Sequence, residues 1–389
     1  MREIDYGPVA PKLHRAGTHR TRSPAETLAA YGPRMGELGI TRLADVTGLD
    51  HVGLPVYMAV RPNARSLSVS QGKGIDRDSA KASALMEAIE GWHAERVELP
   101  LRYESLAALR RAGEAVLDVR RLQLHPGATL RDEAPIAWVH GYELMADRPC
   151  WVPFECVTAN CVPAPGAAPL FGASSNGLAS GNHLLEAIVH GLCEVLERDA
   201  CSRAAPREKA RQVDLSTVRD PSGVELLERL QRAELVVAVW ETTSATGIPT
   251  FACELLDRPD RARWTLHGLF SGQGCHLDPE VALLRALTEA VQSRLTSIAG
   301  SRDDMFAYAT QANPDDLEVM MRAILDPPPR HPLSTDDRST DSLDDDLDVL
   351  LEAMRGAGLE QAAVVDLTRE DVGVPVVRVV VPGCRNDVA

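Results

Sequence analysis

No stretch of this 389-residue chain is apolar for long enough to cross a bilayer. The longest such run, around residues 374–382, falls far short of the roughly 20 residues that a spanning helix needs. The opening MREIDYGPVAPKLHRAG has no hydrophobic signal segment, so a cytoplasmic protein without a membrane partner is expected. The eight cysteines, at 150, 156, 161, 193, 201, 253, 275 and 384, include no CxxC pair. That excludes a zinc ribbon and a thioredoxin-like redox site and predicts free, mostly buried thiols. Positive charge is scarce: 41 Lys and Arg face 56 Asp and Glu, a net charge of −15. A nucleic-acid-coating surface, which relies on clustered basic residues, is excluded, and any phosphate ligand must be handled locally. A GxxxxGK[ST] loop is also missing, which excludes a P-loop NTPase.

What the chain does have is 44% hydrophobic residues, enough for a sizeable core, and a unit that occurs three times. The units are SLSVSQGKGIDRDSAKASALMEAIEGW from Ser66, PLFGASSNGLASGNHLLEAIVHGLCEVLERDA from Pro169 and TLHGLFSGQGCHLDPEVALLRALTEAVQSR from Thr265. Each reads as a short strand, a Gly/Ser-rich break and a long helix. Asp278-Pro279 has the N-cap and first-turn chemistry of a helix start. Residues 236–240 and 250–256 read as a strand pair about Thr246-Gly247, residues 374–381 as a late strand, and residues 23–38 as a helix opened by Ser-Pro-Ala-Glu. The expectation is a mixed α/β (α+β) fold with three strand–loop–helix units. Residues 1–60 are expected to be a lead segment and 61–389 one catalytic unit. The acidic segment 336–348 (DDRSTDSLDDDLD), between PPPRHP and a helix-like LDVLLEAMRGAG, reads as a solvated linker.

Aligned without gaps, the three helices place Ser83, Glu87 and Glu90 against His190, Glu194 and Glu197, and against Arg285, Glu289 and Gln292. At about 100° per residue, positions 0, +4 and +7 share a face about 60° wide, with the apolar residues on the other side. Glu186 lies on the same face of the second helix. Carboxylates three residues apart repel unless something neutralises them. Oxygen ligands from several helices suit Mg2+, which keeps some water and shares its other positions with substrate phosphates. With Arg198, and with Lys73 in the GKG loop, a metal–nucleotide site is one reading. Surface glutamates paired with Lys or Arg, or another anion or metal use, are the others.

SVSQGKGIDRDSAKASALMEAIE, GLASGNHLLEAIVHGLCEVLERDA and ALLRALTEAVQSRLTSIAGSRDD resemble the three ATP-site segments of the YcaO family, and the resemblance runs from about Gly17 to Gly383. It implies ATP in a cleft built without a Walker loop. By that resemblance Ser83, Glu87 and Glu90, then Asn182, Glu186, Glu194, Glu197 and Arg198, then Glu289 and Gln292, match the family's motifs. The implied magnesium ligands are Glu87, Glu90, Glu194 and Glu197. Lys73, Ser83, Asn182, Glu186, Arg198, Arg285, Glu289 and Gln292 are the nucleotide-site candidates, and Glu87, Glu197 and Arg198 the catalytic ones. Arg20 and Arg22 are candidates for an N-terminal phosphate contact. Gly91 departs from the pattern, since many members carry Arg there.

The stretch from Ala16 and the VPVVRVVVPG ending resemble the subgroup that works beside TfuA-type proteins, and the PxPxP tail common in azoline-forming members is absent. The implied activity is ATP-dependent O-phosphorylation of a peptide-bond carbonyl and its conversion to a thioamide. The resemblance also implies a peptide or protein substrate, a TfuA-like sulfur-handling partner and a homodimer. Azoline or amidine formation by an internal nucleophile is the alternative within the class, and a catalytically inactive peptide-binding module the alternative outside it. No leader-binding winged helix is read at the N-terminus. Cys193, Cys201 and Cys275 are read mainly as buried hydrophobes, His183 and His190 as capping or packing residues, and Trp92 and Trp151 as core or interface anchors.

Overall fold

The computed structural model describes residues 6–162, 168–172, 174–204, 211–258, 268–302, 314–325 and 331–385. In chain order, α1 (Pro24–Tyr31) precedes β1 (Arg42–Asp45), β2 (Val56–Val60), β3 (Val69–Lys73) and α2 (Arg77–Glu95). β4 (Leu101–Ser105), α3 (Leu106–Arg111), β5 (Pro135–Glu143), β6 (Arg148–Pro153) and β7 (Leu178–Ser180) lead to α4 (Leu184–Arg203). β8 (Arg211–Asp214), α5 (Pro221–Arg232), β9 (Val236–Glu241), β10 (Thr250–Leu256) and β11 (Leu269–Cys275) lead to α6 (Pro279–Ala299). α7 (Pro314–Leu325), β12 (His331–Pro332), α8 (Leu343–Gly356), β13 (Ala363–Asp366) and β14 (Val376–Val380) follow.

The strands form three sheets, ordered β1-β2-β3, β11-β10-β9-β8-β12 and β4-β5-β13-β14-β7, with β6 on β5. The strand of each repeated unit is the terminal strand of a different sheet: β3, β11 and β7. The register that superposes Glu87, Glu194 and Glu289 also superposes the N-caps Asp76, His183 and Asp278. Between strand and N-cap lie the pairs Gly74-Ile75, Gly181-Asn182 and His276-Leu277. Each helix packs on its own strand and on the strand of the next unit, α2 on β7, α4 on β11 and α6 on β3. The three units thus close a cycle.

The apolar faces point out of that cycle, each into its own core. Ala84, Leu85, Ala88 and Ile89 of α2 occupy one, Ile188, Leu192 and Leu196 of α4 a second, and Leu283, Leu287 and Val291 of α6 a third.

In the first and third units Gly72, Gly272 and Gly274 are not breaks, as the sequence suggested, but parts of the strands, whereas Gly74 follows β3 and Gly177 and Gly181 flank β7. In β3 and β11, Gly72, Gly272 and Gly274 face the helix that follows. An added Cβ would stand 2.0 Å from the Ala84 nitrogen at Gly72, 2.2 Å from the Ala290 nitrogen at Gly272 and 2.1 Å from the Ala282 oxygen at Gly274. Strand alternation then turns Lys73 and Gln273 to the opposite face. Lys73 therefore ends a strand and does not sit in a loop.

Two further expectations change. The helix expected over residues 23–38 ends at Tyr31, because Gly32-Pro33 converts the chain to a 3-10 turn over Gly32–Arg34. Its start holds: Glu26 N donates to Ser23 Oγ at 3.3 Å, and Ser23 N donates to Glu26 Oε2 at 2.8 Å. The acidic segment is not all linker. Asp344, Asp345 and Asp346 form the first turn of α8, where carboxylates suit the helix dipole. Asp346 is 1% exposed and pairs with buried Lys12 at 2.5 Å. Asp336, Asp337 and Asp341 are exposed as expected, and residues 327–330 of PPPRHP lie outside the described residues. The strands expected at 236–240, 250–256 and 374–381 are β9, β10 and β14.

Gly72→Ala is expected to destabilise the protein by at least about 1–3 kcal/mol, because its methyl meets backbone that cannot rotate away. Gly36→Ala, where a methyl meets nothing within 4 Å, should stay within about 0.5 kcal/mol of the parent. Thermal melting of the two variants checks this, and equal melting temperatures would contradict the close strand–helix packing.

Candidate functional site

The polar stripes of α2, α4 and α6 face one another across the centre of the cycle. In each helix the +7 residue bonds to the strand of the next unit. Ser180 N and Oγ donate to Glu90 Oε1 at 2.8 and 2.7 Å, and Cys275 N donates to Glu197 Oε2 at 2.9 Å. Gln292 Nε2 donates to Gln71 Oε1 at 3.5 Å, and Thr296 Oγ1 donates to the same oxygen. Ser180, Cys275 and Lys73 occupy one position of the repeat, at the ends of their strands.

The +4 carboxylates, Glu87, Glu194 and Glu289, meet different fates. Glu289 accepts from Lys73 Nζ at 2.8 Å and stands 3.8 Å from Arg198 Nη2. Burial pushes its pKa up, but Lys73 and Arg198 outweigh that and hold it below the usual carboxylate value. Burial pushes Glu87 up to about 7, with Lys73 opposing. Glu87 is nevertheless solvent-accessible. The two facts agree for a side chain low in a concave site, crowded by protein on most sides and open on one. Burial raises Glu194 to about 7 against the pull of Arg198. It raises Glu90 to about 8, with the Ser180 bonds opposing and repulsion from Glu87 and Glu194 adding to it. Three carboxyls with raised pKa values thus lie on facing helices.

Cations border them. Arg198 donates to Gln273 Oε1 at 2.9 Å and lies 3.8 Å from Glu197 Oε1. Burial alone would lower its pKa, but Glu197, Glu289 and Glu194 push it up. Glu197, 1% exposed, lies 3.6 Å from Arg285 Nη2. His190 Nδ1 stands 3.4 Å from both Arg20 and Arg285. Burial and those two guanidiniums hold its pKa well below the ordinary histidine value, so the ring is neutral.

The structure thus brings together Lys73, Glu87, Glu90, Glu194, Glu197, Arg198, Arg285, Glu289 and Gln292. Ser83, half-buried, stands at the first position of the α2 stripe. Glu186 and Asn182 are engaged elsewhere. Glu186, 2% exposed, accepts from Thr21 N and Oγ1 at 2.8 Å and from Asn182 N and Nδ2 at 3.2 Å. Asn182 Oδ1 accepts from Thr27 Oγ1 at 3.0 Å. Both tie residues 20–27 to the start of α4. Of the two N-terminal arginines, Arg20 is the one within reach of His190 and Glu186. His183 caps α4, its Nδ1 accepting from Leu185 N at 3.2 Å. At Gly91 an added Cβ would lie 2.7 Å from Arg61 Nη2. A guanidinium from another strand therefore fills the space beside Gly91, where many members carry Arg, and it is committed to Glu95.

Sequence reasoning missed Gln71 and Gln273, whose signal was the alternation of each with glycine in its strand. It also missed Arg378, alone in the apolar run VVRVV. Arg378 is buried, its pKa is lowered by burial to about 10, and it acts electrostatically on Glu194. Its Nη1 has no hydrogen-bond partner among the described residues.

Among the described residues no three His, Cys, Asp or Glu side chains converge as metal ligands, so the carboxylates do not form an all-protein cage. Separate hard-oxygen donors with raised pKa values fit Mg2+, which takes one or two carboxylates and completes its shell with water and phosphate. No described helix is long and apolar enough to cross a membrane.

A model of the YcaO family, described as an ATP- and Mg2+-binding YcaO cyclodehydratase, matches residues 71–385. An uncharacterised protein of Methanothermobacter thermautotrophicus is 40% identical over 371 residues, 92% of this chain and 93% of that protein. An uncharacterised protein in the tfuA 3′ region of Rhizobium leguminosarum bv. trifolii is 34% identical over 383 residues, 95% of this chain and 89% of that protein. The YcaO structure from Methanopyrus kandleri bound with AMPPCP and Mg2+ superposes with a TM-score of 0.73 at 26% identity, covering 97% of this chain and 95% of that one. A heterocyclase in complex with substrate and cofactor superposes with a TM-score of 0.80 at 25% identity, covering 99% of this chain and 54% of the other.

The raised carboxyls predict a pH dependence of stability. The ligand-free fold favours protonated Glu87, Glu90 and Glu194 more than the unfolded chain does. Their contribution is full below the ordinary glutamate value and is lost as pH climbs through about 7 to 8. The melting temperature of ligand-free protein should fall as pH rises from about 4.5 to about 8 and level off above that. Glu90→Gln should flatten the fall, and Mg2+ with a non-hydrolysable ATP analogue, which favours the ionised forms, should reduce it. A parent and a Glu90→Gln variant with parallel profiles would contradict the assignment.

Proposed function

The chain belongs to the YcaO family of ATP- and Mg2+-binding proteins, and from that premise we propose that it uses ATP to phosphorylate a peptide-bond oxygen so that hydrosulfide can replace it. The reading is carried by one observation: carboxylates and cations from three helices line a single cleft with no Walker loop. Amide resonance makes the carbonyl a poor electrophile. Attack of the amide oxygen on the γ-phosphorus forms a new O–P bond and expels ADP. Hydrosulfide then adds to the activated carbon and phosphate leaves with the former amide oxygen, so that amide, ATP and hydrosulfide become thioamide, ADP and phosphate.

In this reading Glu87, Glu90, Glu194 and Glu197 hold magnesium, which supplies neutralisation of phosphate charge. Arg198, fixed by Gln273, stabilises charge on the transferring group. Lys73, Ser83, Arg285, Glu289 and Gln292 border the nucleotide. Glu186 and Asn182 act through the segment they tether, which carries Arg20. The same contacts support residues 1–60 as a lead segment packed on a catalytic unit formed by 61–389. The proposed substrate is a ribosomally made peptide or a protein, handled by a homodimer beside a TfuA-like sulfur donor.

Sulfur is favoured over cyclisation by the likeness to the tfuA-region protein. A second reading, azoline or amidine formation, draws on the family's description as a cyclodehydratase and on the heterocyclase likeness.

Glu87→Gln and Glu197→Gln are each expected to cut ATP turnover by at least about 100-fold while the melting temperature shows a folded protein. Normal turnover in either folded variant would reject the site. For the product, a peptide substrate is incubated with enzyme, Mg·ATP, sulfide and the TfuA-like partner and weighed by mass spectrometry. A gain equal to sulfur for oxygen supports thioamidation, and loss of one water moves the assignment to cyclisation.

A further inference from the structure

The three seams of the cycle are built alike and charged differently. At each, the +4 and +7 residues of one helix meet the last residue of the next unit's strand. At the first, α2 supplies Glu87 and Glu90, and β7 ends in Ser180, which donates to Glu90. At the second, α4 supplies Glu194 and Glu197, and β11 ends in Cys275, whose amide donates to Glu197. At the third, α6 supplies Glu289 and Gln292, and β3 ends in Lys73, which donates to Glu289. Two seams therefore set a pair of carboxyl groups against an uncharged strand end. The third sets one carboxylate and one amide against an ammonium.

The third seam is balanced within itself. Lys73 Nζ stands 2.8 Å from Glu289 Oε2, and the two side chains are 21% and 22% exposed, so the pair borders the open part of the cleft and is not sealed in a core. At the +7 place Gln292 donates to Gln71 Oε1, a contact between neutral groups that needs no counter-ion. Arg198 does not set this seam apart, because it stands 3.8 Å from both Glu197 and Glu289 and is shared between the second and third. Lys73 is the charged strand end that the other two seams lack.

Carboxylates three residues apart, like Glu87 and Glu90, repel until a cation joins them, and a divalent ion does so through hard oxygen ligands. Beside Glu289 that ground is taken. An ammonium is a compact point charge; at hydrogen-bond distance from the carboxylate it fills the position a metal ion would take, and it repels a second cation.

We propose that Lys73 is the protein's own replacement for a metal ion at the third seam: it holds Glu289 in an ion pair, closes the α6 side of the centre to divalent ions and confines magnesium to the carboxylates of α2 and α4. Lys73 is a positioning residue that acts through Glu289. A centre made of three similar units would otherwise accept a metal-bound triphosphate in more than one orientation, and a built-in cation at one seam leaves a single metal-binding side. The inference rests on the magnesium part of the proposed function and not on the product formed.

The test uses crystals of the unmodified protein grown with a non-hydrolysable ATP analogue and Mn2+, which takes the same oxygen ligands as Mg2+ and is located by anomalous scattering. Mn2+ among Glu87, Glu90, Glu194 and Glu197, and none bound to Glu289, is the expected result. Mn2+ on Glu289 overturns the inference and leaves the magnesium reading intact, whereas no Mn2+ at any seam overturns both. The reciprocal variant, Lys73→Ser with Gln292→Glu, gives the third seam the composition of the first. Once melting shows it folded, calorimetric titration in the presence of the analogue should find an additional Mn2+ per chain relative to the parent, while Lys73→Arg, which keeps a cation, should match the parent. Equal Mn2+ stoichiometry in all three proteins would show that Lys73 does not stand in for a metal ion.

Discussion

The structure depends on a contact made three times: the seventh residue of each helix stripe bonding to the terminal strand of the next unit. Terminal strands carry backbone groups without a sheet partner. Here Glu90 accepts from the Ser180 amide and Glu197 from the Cys275 amide, while Gln292 meets the side chain of Gln71. The bonds satisfy strand ends and, because each joins one unit to the next, hold three separate sheets around one centre. Each also fixes one side of a carboxylate or amide and leaves the rest of the group facing the cleft. The scaffold and the site are made of the same residues.

That economy has an electrostatic cost. Burial raises the pKa of Glu87, Glu90 and Glu194, and Glu87 and Glu194 add to the rise at Glu90. A module that only bound peptide would gain nothing from such a cluster, since uncompensated buried charge destabilises a fold. The neighbouring cations are spread unevenly. Lys73 and Arg198 crowd Glu289, whereas Arg20 and Arg285 gather around His190. Each of those two arginines also stands within 4 Å of a carboxylate, Glu186 at 3.7 Å and Glu197 at 3.6 Å. The overall charge of −15 says nothing of this division, which arises only when three distant segments meet.

Much of the arrangement was legible in the sequence because the units share a register. Once Glu87, Glu194 and Glu289 were aligned, helical geometry put their polar partners on one face, and the N-cap at Asp278 was readable from Asp-Pro. The glycines were misread because Gly in a strand and Gly in a loop look alike without a partner. Gly72 and Gly272 are glycine because a helix backbone passes about 2 Å from where a Cβ would stand, and that helix belongs to the tertiary structure. The acidic run was misread for a related reason: Asp346 is buried only because Lys12, distant in sequence, reaches it.

The engagement of Glu186 shows where reading by face stops. Helical spacing put it on the stripe with Glu194 and Glu197, and the structure agrees. Yet Thr21 and Asn182 saturate it with four hydrogen bonds, so a position shared with the metal candidates does not make it free to bind metal. Its effect is to hold Arg20 over the centre, 3.4 Å from His190. The same carboxylate stands 3.7 Å from Arg20, so it both tethers the segment and pairs with the guanidinium that the segment carries. A residue that looks like a ligand in sequence thus acts as the anchor of one.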